Sequence, residues 1–448
     1  MQFGWLDRVP VASRRRGPTT IVAGGHYDDL MYAFTLAARD RSPDSRYAWF
    51  RLAVSLLIMT IGNAGMWVIP VVLPVVQAEF QIGRAEAALP YTLMMVGFGL
   101  GGVLMGRLSD RFGLFRPLLG ASLAIGAGFV LAGLSDNILG FALAHGLLIG
   151  LVGCAVTFAP LMADTALWFA RRRGIAVAVC ASGNYLAGAV WPPVMEHFIA
   201  TQGWRSTYTG VGIFCTISMA ALACLMRQRA PAQLAARDPQ APAQHGEQAF
   251  GLHPRVATAA LCVAGLSCCV AMAMPQVHIV AYCTDLGFGA AQGAQMLSIM
   301  LACGIISRLV SGALSDRIGG IRTLVLGSGL QCTALALFLP FDGLVPLYVV
   351  SALFGLFQGG IVPSYALVVR ENFPAAQIGV RIGTVIMFTM LGMALGGWMS
   401  GKVFDLTGSY HAAFLNGIAW NLLNLLITVT LLLRLRRQKT QQSGSDPN

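Results

Sequence analysis

Long apolar runs alternate with short polar gaps along almost the whole chain, and this rhythm decides the class of protein first. A spanning helix needs about 20 mostly apolar residues. Runs near that length lie at 52–76, 88–106, 117–135, 138–163, 174–195 and 206–226, and again at 256–281, 293–315, 323–341, 344–369, 382–401 and 411–433. Backbone N–H and C=O groups in lipid must be satisfied within their own segment, so the runs predict helices. A barrel would need short alternating strands, and these runs do not alternate. The expected fold is an all-α membrane protein with twelve transmembrane helices.

The polar stretches divide the chain. Residues 1–48 carry Arg14-Arg15-Arg16 and no apolar core of a secretory signal, so they read as a tail. Residues 227–255 are rich in Ala, Gln and Pro and read as a linker. It separates a six-helix half at 49–226 from another at 256–433, followed by a second tail at 434–448.

Composition agrees: 56% of residues are apolar and 11% charged, against about 25% charged in soluble domains. A soluble enzyme or a nucleic-acid-binding module is excluded on that ground. The net charge of +11 sits in the gaps between runs. Of 30 Lys and Arg, 26 fall on the side that would carry both termini, and three, Arg84, Arg205 and Lys402, fall on the other. That imbalance predicts cytoplasmic termini. Abundant Ala and Arg with little Lys suggests a bacterial inner membrane. The ten cysteines lack metal spacing and read as packing residues. No cofactor or metal is called for. No phosphate-binding lysine loop is present, so ATP is not the expected energy source, and Ser and His lack a triad context. Gly97-Phe98-Gly99-Leu100-Gly101-Gly102 fits a dinucleotide pattern but lies inside a span, where it reads as a small-residue packing face.

The halves repeat. GRLSDRFGLFR from Gly106 and GALSDRIGGIR from Gly312 follow the second span of each half. Gly106/Gly312, Asp110/Asp316, Arg111/Arg317, Gly113/Gly319 and Arg116/Arg322 match at a constant offset of 206. Duplicated parallel halves imply pseudo-symmetry and a transporter with its site between them. The G-x-L-x-D-R-x-G-x-x-R loop resembles the signature of the major facilitator superfamily, and the likeness covers about residues 50–433. It implies that Asp110 and Arg111, with Asp164 as a further partner and Asp316 and Arg317 as the repeat equivalents, form a gating charge cluster. The plainer alternative is a loop charge set that only fixes topology.

Arg308 is the one charged residue placed deep in a span, eight residues before Asp316, or roughly 12 Å in. A central arginine costs at least about 2.5–3.5 kcal/mol on insertion scales. No acid lies inside the other spans, so an anionic cargo is a natural partner, and a guanidinium matches a carboxylate bidentately. The alternative is an arginine capping backbone carbonyls or snorkelling. Arg308-x-x-x-Gly312 and the Trp168-Phe169-x-Arg171-Arg172-Arg173-Gly174 lead-in resemble the monocarboxylate-porter branch, where such an arginine binds the substrate carboxylate. Two departures stand out. Gly304 occupies the place of an acid found in animal members, and the first span lacks their lysine.

His278, after Pro275, is then the candidate proton carrier, against the alternative of a hydrogen-bonded histidine at the span end. His145 is weaker. Asn184, Tyr185, Gln358 and Tyr365 are candidate substrate contacts, or else simple links between helices. Trp67, Trp191 and Trp398 line the cavity or sit at an interface. The leading expectation is a monomeric secondary transporter of a small organic anion, with H+ as candidate coupling ion. The alternatives are an exporter of drugs or other amphipathic compounds on the same fold, and a non-transporting solute sensor.

Overall fold

A computed structural model describes residues 43–228, 249–374 and 377–443. Most of the 1–48 tail and 227–255 linker, and the end of the second tail, lie outside the described residues. Twelve helices are long and apolar enough to cross a membrane: α1 Arg46–Phe80, α2 Arg84–Phe112, α3 Phe115–Gly133, α4 Ile138–Trp168, α5 Arg173–Gln202, α6 Trp204–Leu225, α7 Pro254–Asp285, α8 Ala290–Ile318, α9 Gly320–Leu337, α10 Leu344–Asn372, α11 Ile378–Thr407 and α12 Tyr410–Gln438. Within the second half α7 packs on α11 and α12, and α8 on α10. Between halves α5 packs on α8, α2 on α11 and α1 on α7. The first two pairings are the same contact seen from each half, and the third is its own equivalent, as a two-fold relation between halves requires.

The helices are longer than the apolar runs because their ends leave the greasy zone. α1 starts at Arg46, before the predicted 52, with Ser45 accepting a cap bond from the Ala48 N–H. Several helices are interrupted. α1 breaks at Asn63, between Arg46–Gly62 and Ala64–Phe80. α4 runs as Ile138–Leu143, a π-helical stretch Ala144–Cys154, and Ala159–Trp168. α10 breaks between Leu344–Gln358 and Ile361–Asn372. Interrupted membrane helices expose backbone groups where neighbouring protein or water can satisfy them, and α4 and α10 occupy corresponding places in the two halves.

The small-residue face of α2 packs as a close helix contact: a Cβ at Gly97 or Gly101 would run into the α4 backbone at Gly146 or Leu151.

The loop face carries the repeated loops at 106–116 and 312–322; the far face carries the start of α2 and the ends of α7 and α11.

Candidate functional site

Arg308 sits on α8 at the seam between halves. Its Nη1 donates to the Ala181 carbonyl of α5 at 2.8 Å, and its Nε reaches the Gly359 carbonyl of α10 at 3.4 Å. The sequence supplies that second acceptor. In an unbroken helix the Gly359 oxygen would receive the N–H of residue 363, which is Pro363 and has none. The guanidinium carbon lies 4.2 Å from the centre of the Tyr185 ring, a cation–π stack across the seam. No carboxylate pairs with Arg308 among the described residues. It is half-buried.

Tyr185 also explains Gly304. A Cβ added there would meet the Tyr185 ring at 2.5 Å. The space beside Gly304 is filled by an aromatic ring from the opposite half.

Asn184, the neighbour of Tyr185, belongs to a separate polar knot. Its amide donates to Asn63 Oδ1 at 3.3 Å, while Asn63 donates to the Met59 carbonyl at 2.7 Å and to the Thr157 hydroxyl at 3.1 Å. Trp67 Nε1 donates to the Asn184 carbonyl at 3.0 Å. The knot joins the breaks of α1 and α4. Trp191 donates to the Thr60 carbonyl beside the same break, at 2.9 Å, whereas Trp398 is exposed. Gln358, at the α10 break, accepts from Gln276 of α7 at 3.0 Å and has a buried Nε2 without a partner.

Other candidates are placed elsewhere. Tyr365 donates to Asn424 at 2.8 Å inside the second half, and neither a hydrogen bond nor a ring contact joins it to Arg308. His278 is fully buried and its Nε2 bonds the Gly397 carbonyl at 2.8 Å. It lies toward the far face, away from the Arg308 carbonyl pair. His145 is buried in an aromatic cluster of Phe141, Trp204 and Tyr208.

The loop charges are unclustered in this state. Asp110, Asp316 and Arg317 are exposed and make no ion pair among the described residues, and Arg111 lies over the Phe112 ring at 5.2 Å. Asp164 is not their partner. It is bound by Arg51 of α1, Nε to Oδ2 at 2.9 Å and Nη2 to Oδ1 at 3.1 Å. Arg51 lies inside a helix starting at Arg46, and its fork reaches Asp164 on α4. Asp110 and Asp164 do line one cavity of about 620 Å³ within the first half, with Arg116 and Arg227.

The Trp168–Gly174 lead-in clamps the start of α1. Trp168 packs edge-on against Tyr47 and under Arg51, and Phe169 against Trp49. Asp44 accepts from the backbone N–H groups of Ala170, Arg171 and Arg172. Burial pushes the Asp44 carboxyl up, but those amides and the Arg171 charge together hold it below its ordinary value.

The halves touch unevenly. From the middle outward to the far face they are joined by Arg308 to Ala181, Ser298 to the Ala189 carbonyl and Thr92 to the Ala394 carbonyl at 3.0 Å, and finally by Arg84, which binds Asp285 and Tyr410. Among the described residues no hydrogen bond or ion pair joins the halves on the loop side of Arg308. The halves are therefore bonded to each other from the seam to the far face and not toward the loop face.

A family model described as Major Facilitator Superfamily matches residues 55–345 and 261–447, which takes in both halves and the linker. The chain belongs to the Major Facilitator Superfamily. It is a multi-pass membrane transporter of a small molecule, not an enzyme. It is 26% identical over 403 residues to monocarboxylate transporter 13 of Bos taurus, covering 88% of this chain and 92% of the relative. It is 25% identical over 320 residues to the agnestins efflux protein AgnL12 of Paecilomyces divaricatus, covering 70% and 71%. Among solved structures, a bacterial homologue of the human lysosomal transporter Spinster, described as inward-facing and unoccupied, aligns with a TM-score of 0.67 at 14% identity, covering 87% of this chain and 97% of that one. The shared superfamily fold accounts for the repeat, the parallel halves and the seam between them.

Arg84, Arg51, Asn63 and Gln276 escaped the sequence reading. Arg84 and Arg51 looked like loop and tail charges, Asn63 lay at a break that hydropathy does not register, and Gln276 lay inside a continuous apolar run.

Proposed function

We propose that this superfamily member carries a small organic anion, in the first instance a monocarboxylate, by alternating access between its halves. The observation that supports this reading is Arg308: a cation at mid-span depth, on the seam, held by carbonyls and a tyrosine ring, with no acid of its own. Those contacts fix the guanidinium without neutralising it, so its charge stays available to a carboxylate. Carbonyl capping is how the residue is held. The break of α10 beside it and the matching break of α4 are the interrupted helices expected to flank a midplane site. The relative named as a monocarboxylate transporter points the same way. Tyr185 and Gln358 are the nearest candidate contacts, with Asn184 in the adjoining knot. The positive-inside count puts the loop face in the cytoplasm, and His278 is the candidate site of a co-transported proton.

Proteoliposomes test the reading directly. Removing a charged hydrogen-bond partner is worth about 1.5–3 kcal/mol, so Arg308→Ala is expected to raise the KM for a carboxylate roughly 10- to 100-fold. Arg308→Lys should recover little of this, because the bidentate fork is lost. Wild-type uptake by both variants would defeat the assignment. A second reading, export of amphipathic compounds, draws on the fungal efflux relative. It predicts competition by amphipathic cations but not by short carboxylates.

A further inference from the structure

At the far face a single first-half residue gathers groups from three helices of the second half. The Arg84 guanidinium donates to both oxygens of Asp285 at 3.0 and 3.2 Å and to the Tyr410 hydroxyl at 2.8 Å. The backbone N–H groups of Arg84 and Ala85 donate to Asp405 at 2.7 and 2.9 Å. The guanidinium also lies over the Phe404 ring at 4.8 Å. The side chain is only 8% exposed, so these contacts are shielded from salt and water on one side. They tie the start of α2 to the ends of α7 and α11 and the start of α12.

His278 sits two helical turns before Asp285 on α7, and its Nε2 bonds Gly397, two turns before Asp405 on α11. The histidine therefore bridges the two helices that supply the acids. A carbonyl can only accept, so Nε2 carries the proton and Nδ1 is bare. That Nδ1 is buried with no partner. The charged and titratable groups around it are Tyr282 and Asp285 on its own helix, Asp405 on α11, Tyr410 on α12 with its ring 6.0 Å away, and Arg84 and Tyr91 on α2.

We propose that Arg84, Asp285, Asp405 and Tyr410 form a latch that holds the far face shut, and that protonation of His278 releases it. A second proton would put an N–H at Nδ1 into a buried spot with no acceptor. The latched state thus disfavours the charged ring. By linkage, a proton then favours the state in which the latch is open and the ring can find water. Acid on the far side opens the far side. This deepens the proton-coupling part of the proposed function and rests on its alternating access, but it is independent of the cargo.

The test uses purified full-length protein in lipid nanodiscs, with no solute present. Spin labels go at Gln202 and Thr407, exposed on the far face in opposite halves, with the exposed Cys224 replaced by Ser. Wild type is expected to show a short inter-label distance at pH 7.5 and a several-fold larger long-distance population at pH 5.5. His278→Gln keeps a donor for Gly397 but cannot charge, and is expected to stay short at both values. Arg84→Gln is expected to be long at both, with Asp285→Asn as the second variant should the first fail to fold. A wild-type distance that ignores pH, or a full shift in His278→Gln, overturns the proton release. A short distance in both Arg84→Gln and Asp285→Asn overturns the latch. Because no solute is used, either failure is separate from a failure of Arg308→Ala to alter carboxylate uptake.

Discussion

Two residues of the seam are bound by shape rather than charge. Gly304 leaves room for the Tyr185 ring, and that ring carries the Arg308 guanidinium. Overpacking a close contact costs about 1–3 kcal/mol, so Gly304→Ala is expected to lower the thermal stability of the purified protein. Tyr185→Ala made beside it should recover most of the loss, since the clash has one partner. Additive effects in that double-mutant cycle would mean that ring and glycine are not coupled. Arg51 and Asp164 are bound by charge instead. Breaking a buried pair from one side leaves an uncompensated ion, at about 3–5 kcal/mol. Arg51→Met alone should therefore destabilise strongly, while Arg51→Met with Asp164→Leu should come close to wild type in a thermal-unfolding assay. Arg308 was legible in the sequence because it stands alone in an apolar run. Arg51 was not, since five residues inside a helix start look the same as the end of a tail.

Among the elements, α10 shows how one imino acid shapes a site. Pro363 withholds the N–H that would occupy the Gly359 carbonyl, and Arg308 reaches for it. Pro363→Ala supplies that N–H. The expected outcome is a more continuous α10, seen as slower amide exchange around 359–364, together with a changed carboxylate KM. Altered exchange with unchanged transport would show that the freed carbonyl does not serve the site. The twelve spans themselves were plain in the sequence, because hydropathy averaged over about 20 residues reports length and greasiness. Breaks of one or two residues vanish in such an average, which is why Asn63, Phe158 and Gly359-Gly360 had to be seen in three dimensions. Pro160 and Pro363 were the visible hints, each placed where it denies a bond to the preceding turn.

In the whole molecule the two faces differ in kind. The duplicated loops at Asp110 and Asp316 were the strongest signal in the sequence, yet among the described residues no ion pair is made by either acid. The far face is held by residues separated by up to 326 positions, with no repeat to announce them. Repeats reveal common descent, while contacts between halves arise only from how the two copies meet, and a single sequence shows the first more readily than the second.

That asymmetry sets the order of events in a turnover. Under the proposed latch, a solute dissolved on the loop side reaches the seam without breaking the Arg84 contacts. One arriving from beyond the bolt must first knock. Traffic outward and traffic inward thus begin from unequal starting lines, even for the same cargo at the same concentration on both sides.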